Sequence, residues 1–86
     1  MASYKLEIKR SAAKELGQLP PKERGRIVAR IQALAEDPRP AGAEKLSGQE
    51  RYRIRQGDYR ILYEIEDDVL RVVVVKVGHR RDVYRS

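Results

Sequence analysis

The chain has 86 residues, with 19 Lys and Arg against 13 Asp and Glu, a formal net charge of +6 and no cysteine. That length closes around one core, which predicts a single domain over residues 1–86, and the lack of cysteine excludes disulfides, thiolate nucleophiles and thiolate metal sites. No stretch is apolar enough for a signal peptide, and Val69–Val77 is far too short to span a bilayer, so an unanchored cytoplasmic protein with no membrane partner is expected.

Tyr4-Lys5-Leu6-Glu7-Ile8-Lys9 alternates apolar and charged residues, the pattern of a strand with one buried face. Ser11 offers a hydroxyl N-cap to a short helix through Ala12, Ala13, Lys14, Glu15 and Leu16, which Gly17 is placed to end. Pro20-Pro21 opens a second helix, because a proline in the first turn lacks only an N–H that has no partner there anyway. Ile27, Ile31 and Leu34 recur at helical spacing, flanked by Val28 and Ala35, and Asp37-Pro38-Arg39-Pro40 stops the helix. Residues 38–50, rich in Pro, Ala, Gly and Ser, read as a connecting loop in which Lys45-Leu46 touches the body.

Three strands then follow closely: Arg51–Arg55, Tyr59–Ile65 and Val69–Val77, joined by Gln56-Gly57-Asp58 and Glu66-Asp67-Asp68. In the last of them the run Val72–Val75 breaks the two-residue period, as in a strand inside the sheet and covered on both faces. The order β-α-α-β-β-β predicts an α+β domain, a helical hairpin packed on one face of an antiparallel sheet with the first strand at an edge.

If Gln56–Tyr59 closes a hairpin, Arg55 lies opposite Arg60, Arg53 opposite Leu62, Ile54 opposite Ile61 and Tyr52 opposite Tyr63. Alternation then gives one face Tyr52, Ile54, Tyr59, Ile61 and Tyr63, and the other Arg53, Arg55 and Arg60. The helices take the apolar face. On the open face the guanidinium-bearing positions lie within roughly 5–11 Å of one another, a spacing at which like charges repel unless an anion joins them. Arginine binds phosphate through a planar fork of donors and stays charged at any reachable pH, so a phosphate site is the favoured reading over cations splayed into water or paired with nearby acids.

The hairpin Tyr52-Arg53-Ile54-Arg55 with Gly57-Asp58-Tyr59-Arg60-Ile61-Leu62-Tyr63, and the tail Val77-Gly78-His79-Arg80-Arg81-Asp82-Val83-Tyr84, closely resemble the RelE branch of the RelE/ParE toxin superfamily. The resemblance runs the whole chain, and its specificity lies in the hairpin and the tail. It implies the toxin of a type II toxin–antitoxin system: a ribosome-dependent endoribonuclease (mRNA interferase) that cuts mRNA in the ribosomal A site, inhibits translation and is held inactive by a cognate RelB-like antitoxin. A single histidine without cysteine or a tight carboxylate cluster argues against a metal site, and no small-molecule cofactor is expected.

Carried over by position, the resemblance makes Arg53, Arg55, Arg60, Arg80 and Tyr84 the catalytic set. Arg53, Arg55 and Arg60 stabilise the phosphate, Arg80 sits at the leaving oxygen, and Tyr84 acts as base provided neighbouring arginines stabilise its phenolate. Relatives often carry lysine at the positions of Arg53 and Arg55; arginine keeps the charge and removes a lysine-type proton donor. Lys45, Arg81 and Arg85 are candidate contacts to RNA or the ribosome. His79 is the only side chain that ordinarily titrates near neutrality and is a possible participant, weighed against a plain turn residue. Two further readings stay open: a ParE-like toxin that poisons gyrase, and a basic binding module without activity.

Overall fold

Strand β1 (Lys5–Ile8) runs directly into helix α1 (Arg10–Gly17), and helix α2 (Pro21–Ala33) folds back beside it. This is a computed structural model, and it describes residues 3–46 and 51–79. Lys9, not Ser11, is the N-cap of α1, and no side chain caps it. The reason lies in the ladder: the Lys9 N–H donates to the Val74 carbonyl at 3.0 Å while the Lys9 carbonyl already accepts from Ala13 at 2.9 Å. The helix thus starts where the strand ends, and Ser11 falls inside its first turn. Pro21 occupies the first turn of α2 as expected, and Ile27, Ile31 and Leu34 are buried along its inner stripe.

The remaining strands are β2 (Glu44–Lys45), β3 (Arg51–Gln56), β4 (Tyr59–Glu66) and β5 (Arg71–His79), and the five-stranded sheet has the order β1-β5-β4-β3-β2. The meander β3-β4-β5 is antiparallel, and β1 is an edge strand, but it runs parallel to β5 rather than antiparallel. The helical hairpin and loop carry the chain to the far edge; two reversals later β5 arrives beside β1 pointing the same way. Residues 38–50, expected as loop throughout, contain β2, which has little strand propensity of its own and is held by the exposed edge of β3, with the Leu46 N–H donating to the Arg51 carbonyl at 2.7 Å.

The core joins Ala12, Ile27, Ile31 and Leu34 of the helices and their C-terminal turn to Tyr52, Ile54, Ile61, Tyr63, Ile65, Val72, Val74 and Val77 of the sheet. β5 begins two residues later than expected: Val69 and Leu70 are exposed in the turn before it, Leu70 with φ of +51°. It does lie inside the sheet. Its broken period has a second cause, a β-bulge: Leu62 pairs with Lys76 but Tyr63 with Val74, leaving Val75 unopposed. Val72, Val74 and Val77 consequently all point inward, where strict alternation would have sent Lys76 into the core.

Candidate active site

The β3–β4 hairpin closes on the pair Gln56 and Tyr59 with Gly57 and Asp58 as its loop. Gly57 takes φ of +60° and Asp58 stays at negative φ, the pattern of a type II′ turn, whose twist suits a two-residue hairpin. The register follows: Arg55 opposite Arg60, Ile54 opposite Ile61, Arg53 opposite Leu62 and Tyr52 opposite Tyr63. The tyrosine rings stack with centroids 5.8 Å apart on the helix face. Arg53, Arg55 and Arg60 therefore share the open face, as the alternation predicts.

Their surroundings differ. Arg53 is ion-paired with Glu44 of β2, directly across the strand pair. Arg55 is exposed at the hairpin end, while Arg60, in the centre of the sheet opposite Gly78, is only 7% exposed. The Arg60 Nε is buried without a hydrogen-bond partner, and no acid pairs with Arg55 or Arg60 among the described residues. Elsewhere on this face the arginines are neutralised: Arg51 meets Glu64 at 2.8 Å, and Arg71 bridges Glu7 at 3.0 Å and Glu66 at 3.1 Å. A buried guanidinium cannot escape its desolvation cost by shedding its proton, so an unpaired one is stabilised by an incoming anion.

Two candidates do not join this cluster. His79 pairs across the sheet with Tyr59, its ring edge-on at a centroid distance of 5.9 Å, and lines recesses on the helix side with Glu15 and Glu23. Lys45 lies across from Tyr52, on the face opposite the Glu44–Arg53 pair. Arg80, Arg81, Tyr84 and Arg85 lie outside the described residues. Among the described residues no group of His, Asp or Glu could hold a metal ion, and no helix is long and apolar enough to cross a membrane.

Sequence reasoning missed two acidic residues that shape the face. Glu44 was hidden by the loop-like composition around it, although its one-residue offset from Lys45 would place it beside Arg53 once β2 is paired. Glu15 contacts Lys76 and Val77 from 61 and 62 residues away, and no local spacing signals that.

A helical hairpin covering one side of a mostly antiparallel sheet, with two arginines on the other that no acid pairs among the described residues, defines a small α+β domain. A family model for the ParE toxin of type II toxin–antitoxin systems matches residues 6–84. Toxin RelG of Mycobacterium tuberculosis is 33% identical over 86 residues, covering 95% of this chain and 97% of that protein. The toxin–antitoxin complex RelBE2 of M. tuberculosis superposes with a TM-score of 0.82 at 29% identity, covering 95% of this chain and 97% of the other. The isolated E. coli RelE toxin superposes with a TM-score of 0.79 at 29% identity, over 90% and 84% of the two chains. In the intact E. coli RelBE toxin–antitoxin complex the corresponding values are 0.80 and 25%, over 90% and 96%. The chain belongs to the RelE/ParE superfamily and is a type II toxin with the RelE-type fold.

Proposed function

We propose that this toxin is a ribosome-dependent endoribonuclease that cuts mRNA in the A site, and that it acts on the phosphate through the open sheet face. The observation that carries this reading is the cross-strand pair Arg55 and Arg60, which has no acidic partner among the described residues although every other arginine of this sheet face has one. The partners are mRNA on the ribosome and a RelB-like antitoxin encoded beside the toxin; RelBE complexes among the structural relatives support the second.

The ribose 2′-oxygen attacks the adjacent phosphorus, the bond to the 5′-oxygen breaks, and the products are a 2′,3′-cyclic phosphate and a free 5′-hydroxyl. A base must take the 2′-OH proton, and the leaving oxygen needs a proton or a positive charge beside it. Arg55 and Arg60 meet the negative charge that builds on the non-bridging oxygens, with Arg53 shared between that task and Glu44. The resemblance assigns the base to Tyr84 and the leaving-group clamp to Arg80. His79 belongs to the helix side in this scheme and takes no part.

Primer-extension mapping on programmed ribosomes tests the assignment. Wild type is expected to cut within the A-site codon, with Arg60→Ala, Arg80→Ala and Tyr84→Phe each slower by roughly a hundredfold or more. Naked RNA is expected to be cut poorly, because the set contains no strong acid–base pair and the ribosome must order the substrate. Variants cutting as fast as wild type would remove these residues from the site. A wild type that cuts nothing on ribosomes but inhibits gyrase supercoiling would favour the second reading, a ParE-like gyrase poison, to which the match to the ParE family model lends support.

A further inference from the structure

The bulge in β5 controls what faces Arg60. Without it, the pairing of Tyr63 with Val74 would continue as Leu62 with Val75, Ile61 with Lys76 and Arg60 with Val77. The observed partners are Lys76 for Leu62, Val77 for Ile61 and Gly78 for Arg60. This one-residue shift turns every later side chain to the other face. It seats Val77 in the core at 1% exposure, and it sets opposite Arg60 the one residue type with no side chain. A valine there would stand about 5 Å away on the same face and compete for the space the Arg60 stem occupies.

The bulge is held from outside the sheet. Glu15, on α1, accepts from the Val77 N–H through Oε1 at 3.1 Å and from the Lys76 ammonium through Oε2 at 3.0 Å. A bulge takes backbone groups out of the ladder, and a sheltered N–H left without a partner is costly. Glu15 gives a partner to the Val77 N–H, two residues beyond the unopposed Val75, and ties down the side chain that the shift expels from the core. We infer that Glu15 is a positioning residue for the open-face site, fixing the register of Val77–His79 that keeps Gly78 across from Arg60. The inference rests on the endoribonuclease reading for its kinetic consequence and on geometry alone for the register.

Two readouts on purified toxin separate these. Glu15→Ala removes both acceptors, Glu15→Gln keeps a carbonyl oxygen for the Val77 N–H, and Lys76→Met removes only the ammonium. In Glu15→Ala, amide hydrogen exchange at Val77 is expected to quicken by roughly tenfold or more. Its single-turnover cleavage at saturating toxin is expected to fall by roughly tenfold to a hundredfold, with half-saturation unchanged. Glu15→Gln and Lys76→Met should stay close to wild type in both. Unaltered Val77 exchange in Glu15→Ala overturns the inference, as does a cleavage loss no larger than its unfolded fraction in urea titration, or a Glu15→Gln as impaired as Glu15→Ala. A wild type that cleaves nothing on ribosomes would sink the endoribonuclease reading alone, and Val77 exchange would still decide the register.

Discussion

Tyr63 carries the most constrained hydroxyl in the core: its side chain is fully buried, and the O–H donates to the Pro38 carbonyl at 2.7 Å. Burial, reinforced by the neighbouring Tyr52, pushes its pKa from 10.0 up to about 12. A group whose folded pKa is raised contributes stability that is fully present below the unfolded value and is lost as pH rises through the folded one, here between about 10 and 12. Tyr63→Phe should therefore be less stable than wild type by about 1–2 kcal/mol at neutral pH, because the buried Pro38 carbonyl loses its donor. That gap should close as pH approaches 12, since only wild type has the Tyr63 proton to give up on unfolding. Urea titrations at stepped pH measure it, and a gap that holds constant to alkaline pH would refute the assignment. The inward aim of Tyr63 was legible in strand alternation. Its partner was not, because Pro38 lies 25 residues upstream in an irregular segment. The same limit explains why the open face of Arg60 could be read and its burial could not: alternation assigns a side to a residue but says nothing of what covers it.

At the scale of elements, the hairpin was legible in full because two independent signals agree, the turn residues Gly57-Asp58 and the apolar pairing of Ile54 with Ile61. Their contributions are separable. An added Cβ at Gly57 would meet nothing within 4 Å, yet φ is +60°, so Gly57→Ala is charged for backbone strain alone, about 1 kcal/mol. The register is held by Ile54 and Ile61, so cleavage per folded molecule should be unchanged while the urea midpoint falls; a slipped register would show instead as loss of activity beyond the loss of folded protein. β2 and the parallel setting of β1 escaped the sequence for a different reason. A two-residue strand has no period to detect, and whether an edge strand pairs parallel or antiparallel depends on the path of the connections rather than on its own residues. The bulge left a trace, the broken alternation around Val72–Val77, but burial on both faces of an interior strand accounts for that trace equally well.

Across the whole molecule, the net charge of +6 matters less than its sorting. Acids from β1, β2 and β4 neutralise Arg71, Arg53 and Arg51, so the uncompensated guanidinium charge of the open face sits at the hairpin end, on Arg55 and Arg60. Net charge alone does not choose among anionic partners; strand alternation put the arginines on one face, and the ion pairs of the folded sheet separate Arg55 and Arg60 from the rest. Counterion release makes this quantitative, because each single-strand phosphate that a cation neutralises adds about 0.7 to the slope of log affinity against log salt. Binding of a short 2′-O-methylated oligonucleotide, which lacks the attacking hydroxyl, can be followed by fluorescence anisotropy across a salt series. Arg55→Ala and Arg60→Ala should each flatten the slope by about 0.7, and Arg71→Met should leave the slope alone, since Glu7 and Glu66 already hold that charge. Equal flattening by all three would mean that the polyanion feels the net charge of the domain and not the gap in its ion pairing, and the open-face site would lose its electrostatic basis.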